Sequence, residues 1–364
     1  MMRRIDIHSH FFPPLSRSKS RALGMDAADA HWLRDDGDGT GFIMTGEREY
    51  RPVQAPLWDP EARLAEMNRS GTTVQVISAA PVLFAYGGNA RTTARWAAMI
   101  NDQALEMSAA DPVRLRALCQ VPLQDIDLAC AEVSRSCEAG HIGVHIGNQV
   151  QGRNLDDPEL LRFLTHCAEE NIAVLVHPSP MPAAERTSHD LLKSLDGMPA
   201  GTHLAVLSLI LSGGFDRLPR ELRICFTHSG GNFASQLGQV DNAWRRRDLV
   251  TANCPRPPSS YTDRFSVDSA VFSDDALALL LSAMGSERIL TGSDYPFALD
   301  EIDPGSLIDN TRLVETEAKK DMLYRNAARF FAIDADDLDL EPPDDDANNP
   351  SSADGTGRET EGAV

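Results

Sequence analysis

Short β-branched runs recur along the chain and alternate with stretches whose apolar residues return every three or four positions. Runs at 4–8, 73–78, 115–121, 142–146, 173–177, 223–228, 266–272 and 288–291 have the length and composition of buried strands. Between most of them lie amphipathic helical patterns. PEARLAEMNRSG, whose Gly71 suits a helix C-terminus, and DPELLRFLTHCAEENI are examples. Strands that alternate with helices pair in parallel, and eight such units predict an α/β fold of the (β/α)8 TIM barrel type. An open doubly wound sheet is the alternative, but no GxGxxG follows the first strand. The sequence has no internal repeat.

One segment breaks the rhythm. Roughly fifty residues separate the first strand from the helix that starts near Asp59, and they include RDDGDGTGFIMTGEREYRPV, with Gly-rich turns and short alternating runs. A small helix plus β-hairpin insertion after the first strand, at 14–56, is expected to cover the barrel mouth. The barrel domain then spans 1–333, and 334–364 forms an acidic tail. That tail carries eleven acidic residues against Arg358 alone and has no apolar pattern after Leu340, so disorder is expected.

Composition narrows the classes. The formal net charge of -20 argues against a nucleic-acid partner. AVLSLIL, among the longest apolar runs, is well short of the ~20 residues of a membrane span. The N-terminus enters a strand pattern directly, without a signal peptide's apolar region, so a cytoplasmic location with no membrane partner is expected. Six scattered cysteines without CxxC spacing read as buried thiols.

The candidate chemistry lies where the strands end. Residues at i and i+2 of a strand share a face, so His8 and His10 point the same way. His177 closes AVLVHP, His228 closes RICFTHSGG, and Asp294 follows ILTGS. A parallel barrel carries its chemistry at the carboxyl ends of its strands, and this set of N and O donors suits a catalytic zinc with an open position. The four lysines, Lys19, Lys193, Lys319 and Lys320, lie away from the strand ends, which leaves no bridge for a second metal. One ion per subunit is expected, held by His8, His10, His177 and Asp294, with His228 as the nearby base.

The ordered set IDIHSHFFP, VLVHPSPMP, ICFTHSGG and TGSDYPF resembles the amidohydrolase superfamily. More narrowly, the chain is similar to the 2-amino-3-carboxymuconate 6-semialdehyde decarboxylase family. The likeness also runs through YRPVQAPLWDPEARLAEMNRSGTTVQVIS and GMPAGTHLAVLSLILSGGFDRLPRELRICFTHSGG, from Ile5 to about Ile333. It implies a Zn2+-dependent, non-oxidative decarboxylase that acts as a homodimer on a small carboxylate from aromatic-ring catabolism. By the same resemblance His8, His10, His177 and Asp294 match the metal ligands, with Asp294 and His228 in the catalytic set. His228 matches the residue that activates a metal-bound water, so that protonation of the substrate precedes loss of CO2. Arg51, in EYRPV, matches an arginine that grips a substrate carboxylate.

Two positions depart from that family's pattern. Gln239 stands where the family commonly has a substrate-binding arginine from the partner subunit, and Arg245, Arg246 and Arg247 follow on the same segment. His145, in GVHIGN, stands where relatives more often carry Gln. A metal-dependent amide or lactone hydrolase on the same scaffold is the alternative reading, and a structural zinc in a non-enzymatic protein is a third. His31, His141, His166, His189 and His203 read as structural, while Trp58 and Met198 are candidates to border the pocket.

Overall fold

The computed structural model describes residues 2–24, 31–179, 191–297, 301 and 303–334. Eight parallel strands form its centre: β1 (Ile5–Phe11), β2 (Val74–Ala79), β3 (Leu115–Ala117), β4 (Gly143–Gly147), β5 (Ala173–His177), β6 (Ile224–Phe226), β7 (Ser266–Asp268) and β8 (Ile289–Leu290). Each falls on one of the eight expected runs. A helix follows each strand: α1 (Pro60–Ser70), α2 (Ala90–Ser108), α3 (Ile126–Ala139), α4 (Pro158–Glu169), α5 (Met198–Leu211), α6 (Phe233–Arg246), α7 (Asp274–Met284) and α8 (Asn326–Phe331).

The sequence starts these helices locally. Asp59 accepts from the N–H groups of Glu61 and Ala62 ahead of Pro60, and Asn89, Asp125, Asp157 and Ser273 cap α2, α3, α4 and α7 in the same way. Gly71, at φ 70°, ends α1 as its place in the pattern predicts. Leu160, Leu161, Phe163, Leu164 and Cys167 form the buried stripe of α4 against the sheet. Truncating such a core leucine to alanine costs about 2–5 kcal/mol.

Strand pairing runs β1–β2–β3 and β8–β7–β6–β5–β4. Two seams close the circle. Between β3 and β4, Cys119 N–H donates to the Gly143 carbonyl (3.0 Å) and His145 N–H to the Cys119 carbonyl (2.7 Å). Between β8 and β1, Ile7 N–H donates to the Thr291 carbonyl and Asp294 N–H to the His8 carbonyl, both at 2.9 Å. The result is a closed (β/α)8 barrel.

The segment after β1 differs from the expected helix plus hairpin. A short helix, Arg17–Ala22, is followed by three antiparallel strands, His31–Asp35, Thr40–Thr45 and Arg48–Gln54. The chain reverses twice, through Gly37 and Gly39 and again through Gly46, all at positive φ. Leu33, Ile43 and Val53 from these strands pack with Phe11, Phe12, Leu57 and Trp96, which seats the insertion on the end of β1. Beyond Asp334 the expected acidic tail lies outside the described residues. By length and composition the run Lys193–Leu211 is apolar enough to cross a membrane. In the fold it lies along the barrel, with Ala205, Val206, Leu209 and Ile210 in the core.

Candidate metal centre

Every residue of β1 is buried, including the polar Asp6, His8, Ser9 and His10. A bulge in its pairing with β2, between Asp6 and Ser9, re-aims the strand end that carries the two histidines. His177 ends β5, His228 lies just past β6, and Asp294 follows β8. The barrel thereby gathers side chains separated by nearly the whole sequence.

His8, His10, His177 and Asp294 each offer one donor atom, and these four atoms lie within 4.8 Å of one another. Asp294 Oδ1 is 3.0 Å from His10 Nε2 and 3.3 Å from His8 Nε2, while its Oδ2 is 3.9 Å from His228 Nε2. The imidazoles are oriented from behind. His8 Nδ1 lies 2.7 Å from Asp268 Oδ2, and His177 Nδ1 donates to the Pro178 carbonyl at 3.1 Å. His10 Nδ1 is 3.4 Å from Ser78 Oγ, and His228 Nδ1 is 3.1 Å from Thr227 Oγ1. The Nε2 atoms of His8, His177 and His228 are left without a hydrogen-bond partner among the described residues. Rings tied at Nδ1 with Nε2 free to converge have the orientation of metal-ligating histidines.

The backbone is bent to achieve this. His228, Ser229 and Asp294 have φ of 52°, 57° and 68°, in the left-handed region that non-glycine residues rarely occupy. Asp268 compensates at two of them by accepting the N–H groups of His228 (2.9 Å) and Ser229 (2.6 Å).

Electrostatics follow from burial and pairing. Burial alone would lower the pKa of His8, but the Asp268 and Asp294 carboxylates on either side of the ring prevail and raise it to about 10. Burial dominates at His10, which falls to about 4, and at His177 and His145, which fall well below the ordinary value. Burial would raise Asp294, yet the His10 hydrogen bond and the nearby His228 and His8 imidazoles hold it well below the carboxylate range. Three imidazoles and one ionised carboxylate, with buried nitrogens unpaired, fit a divalent cation.

The other expected residues are placed as follows. The Arg51 guanidinium lies 4.6 Å from the Phe297 ring centroid, and that ring is 5.4 Å from His10. Gln239 is exposed on α6 and makes none of the contacts that hold the cluster; Arg245, Arg246 and Arg247 are exposed at the end of the same helix. Lys319 and Lys320 pair with Asp309 and Glu317, Lys193 faces the Tyr50 ring, and Lys19 sits on the insertion helix. His141 and His166 bond to Ser136 and Ser134, and His31 lies 3.1 Å from Thr45 Oγ1. His203 is on α5 and His189 lies outside the described residues. Phe84, 5.0 Å from the His145 ring, also lines a cleft of about 330 Å³ with His31, Tyr50, Tyr86 and Lys193.

Sequence reasoning missed Asp268 and Arg63. An acid inside the seventh strand run was a signal for the first. Arg63, fully buried on α1, donates to Gln75 Oε1 (2.9 Å), the Pro56 carbonyl (2.9 Å) and the His10 carbonyl; its helical spacing gave no sign of this.

Comparison with known proteins shows the family and the fold. A family model described as Amidohydrolase matches residues 5–333. The chain is 34% identical to a 2-amino-3-carboxymuconate-6-semialdehyde decarboxylase of Dictyostelium discoideum, over 91% of this chain and 92% of that protein. Among solved structures, 5-carboxyvanillate decarboxylase from Sphingomonas paucimobilis superposes with a TM-score of 0.78 at 23% identity, over 92% of this chain and 100% of that one. A dihydroxybenzoic acid decarboxylase from Polaromonas sp. JS666, solved with manganese and 2-nitroresorcinol, gives 0.74 at 22%, over 93% and 100%.

Proposed function

The chain belongs to the amidohydrolase family and is a carboxy-lyase, and from that premise we propose that it is a zinc-dependent decarboxylase of 2-amino-3-carboxymuconate 6-semialdehyde or a close analogue. The convergence of His8, His10, His177 and Asp294 on one point carries this reading. These four residues hold the metal. When bound, the ion supplies Lewis-acid chemistry and lowers the pKa of water at neutral pH.

The chain's own residues supply the rest. Arg51, stacked on Phe297 one ring away from His10, grips a substrate carboxylate through its permanently charged planar fork. His228, with Nε2 unpaired and 3.9 Å from Asp294 Oδ2, moves the proton. That proton adds to the unsaturated carbon bearing the carboxylate and turns the conjugated chain into an electron sink. The bond to the carboxylate then breaks, its electron pair restores the double bond, and CO2 leaves. The decarboxylase relative favours this reading over amide or lactone hydrolysis.

We place the enzyme in the cytoplasm as a homodimer. Gln239, exposed on α6, brings no charge to a second carboxylate.

The test is CO2 release from 2-amino-3-carboxymuconate 6-semialdehyde, generated in situ, by zinc-loaded and by manganese-loaded protein. Turnover with zinc that falls about 10²–10⁴-fold in His228→Ala supports the reading. Folded, metal-loaded protein that releases no CO2 refutes this substrate, and activity with manganese alone refutes zinc.

A further inference from the structure

Two polar side chains beside the cluster have no protein partner and no part in the reaction as described. His145, on β4, is fully buried, and neither of its ring nitrogens is hydrogen-bonded among the described residues. Gln120, just past β3 and 1% exposed, leaves both side-chain amide atoms unpaired. Only its backbone is held, by Asn101. Buried polar atoms without partners are destabilising, so four of them in one place call for a function.

The β3–β4 seam brings the two together. Residues 118–120 run beside 143–145 through the Cys119 and His145 hydrogen bonds. A Cβ added to Gly143 would meet Leu118 Cδ2 at 3.2 Å, so these two positions share a face. Two residues further along each strand, Gln120 and His145 share it as well. That face is the barrel interior, because the His145 ring centroid is 5.6 Å from that of His177 and 5.8 Å from that of His10. Phe84 closes the corner, 5.0 Å from the His145 ring centroid.

We propose that Gln120 and His145 form a recognition corner for an uncharged hydrogen-bonding group of the substrate, a hydroxyl, carbonyl or amide. This rests on the decarboxylase reading and narrows it to an acid with a neutral oxygen substituent on this side. The amide offers two donors and an acceptor, and the imidazole one of each. Neither side chain carries a permanent charge, so the corner offers hydrogen bonds and no ion pair of its own. A site built to hydrogen-bond a group discriminates strongly against analogues that lack it.

The test is calorimetric titration of zinc-loaded protein with benzoate, 2-hydroxybenzoate and 3-hydroxybenzoate. The proteins compared are wild type, Gln120→Leu, His145→Phe and His145→Gln. At least one hydroxybenzoate should bind wild type about fivefold or more tighter than benzoate, the worth of one neutral hydrogen bond. Gln120→Leu and His145→Phe should bring that preference to within about twofold and leave benzoate unchanged, while His145→Gln retains it. The same preference in all four proteins or no binding of any acid overturns the proposal. The readout is affinity, so absence of CO2 release in the same samples counts against the decarboxylase reading alone.

Discussion

At the scale of single residues, Asp268 shows how one carboxylate sets a site it does not enter. One oxygen fixes the Nδ1 side of His8, and the pair of oxygens holds the His228 and Ser229 amides in their left-handed turn. Asp268→Asn should therefore fold, yet bind metal about 10–100-fold more weakly, as competition with a chromogenic chelator would measure. Unchanged affinity would show that His8 orients itself. His8, His10, His177, His228 and Asp294 were legible in the sequence because each ends an apolar run that the barrel rule sends to one face. Asp268 was not, since a lone acid in a strand pattern means little until its neighbours from β1 and β6 are known. Gln120 was hidden for the same reason: its significance lies in a missing partner, which one-dimensional spacing does not record.

At the scale of elements, α1 and β1 are joined by Arg63. Its donors satisfy the Pro56 and His10 carbonyls and Gln75, and its guanidinium lies 5.0 Å from the Tyr295 ring centroid. Arg63→Met strands these acceptors and should lower stability by about 2–4 kcal/mol. Urea unfolding should show a lower midpoint with an unchanged slope. A second element test concerns the α3–β4 joint, where His141 donates to the Ser136 carbonyl at 2.9 Å. Burial holds the pKa of His141 below its ordinary 6.5. The unfolded chain thus takes up a proton that the fold resists, so this contribution is complete above 6.5 and is lost as pH falls below it. Between about pH 7 and pH 5, His141→Gln should lose less stability than wild type in parallel denaturation curves. The eight barrel strands and their helices were readable because period and caps agreed. The insertion's extra strand was not, because Gly37 and Gly39 turn the chain inside a stretch too polar to read as strand.

At the scale of the whole molecule, the segment 191–195 presents Leu191, Leu192 and Leu195 to solvent at 62%, 42% and 59% exposure. Such an apolar face fits the proposed homodimer. Leu192→Glu combined with Leu195→Glu should shift sedimentation from dimer to monomer with the fold intact. A wild-type chain that sediments as a monomer would remove the dimer from the reading. The seam between β8 and β1 also bears on biosynthesis. His10 and Asp294, which meet across it, are 284 positions apart. At about 5–20 residues per second, a ribosome delivers the carboxylate roughly 15–60 s after the first two imidazoles. Throughout that interval β1 lacks its neighbour on one side, and its histidines have no anionic companion from β8. The full set of four donors therefore exists only once synthesis is nearly complete, and a nascent chain stalled before the last strand exposes an open strand edge instead of an enzyme.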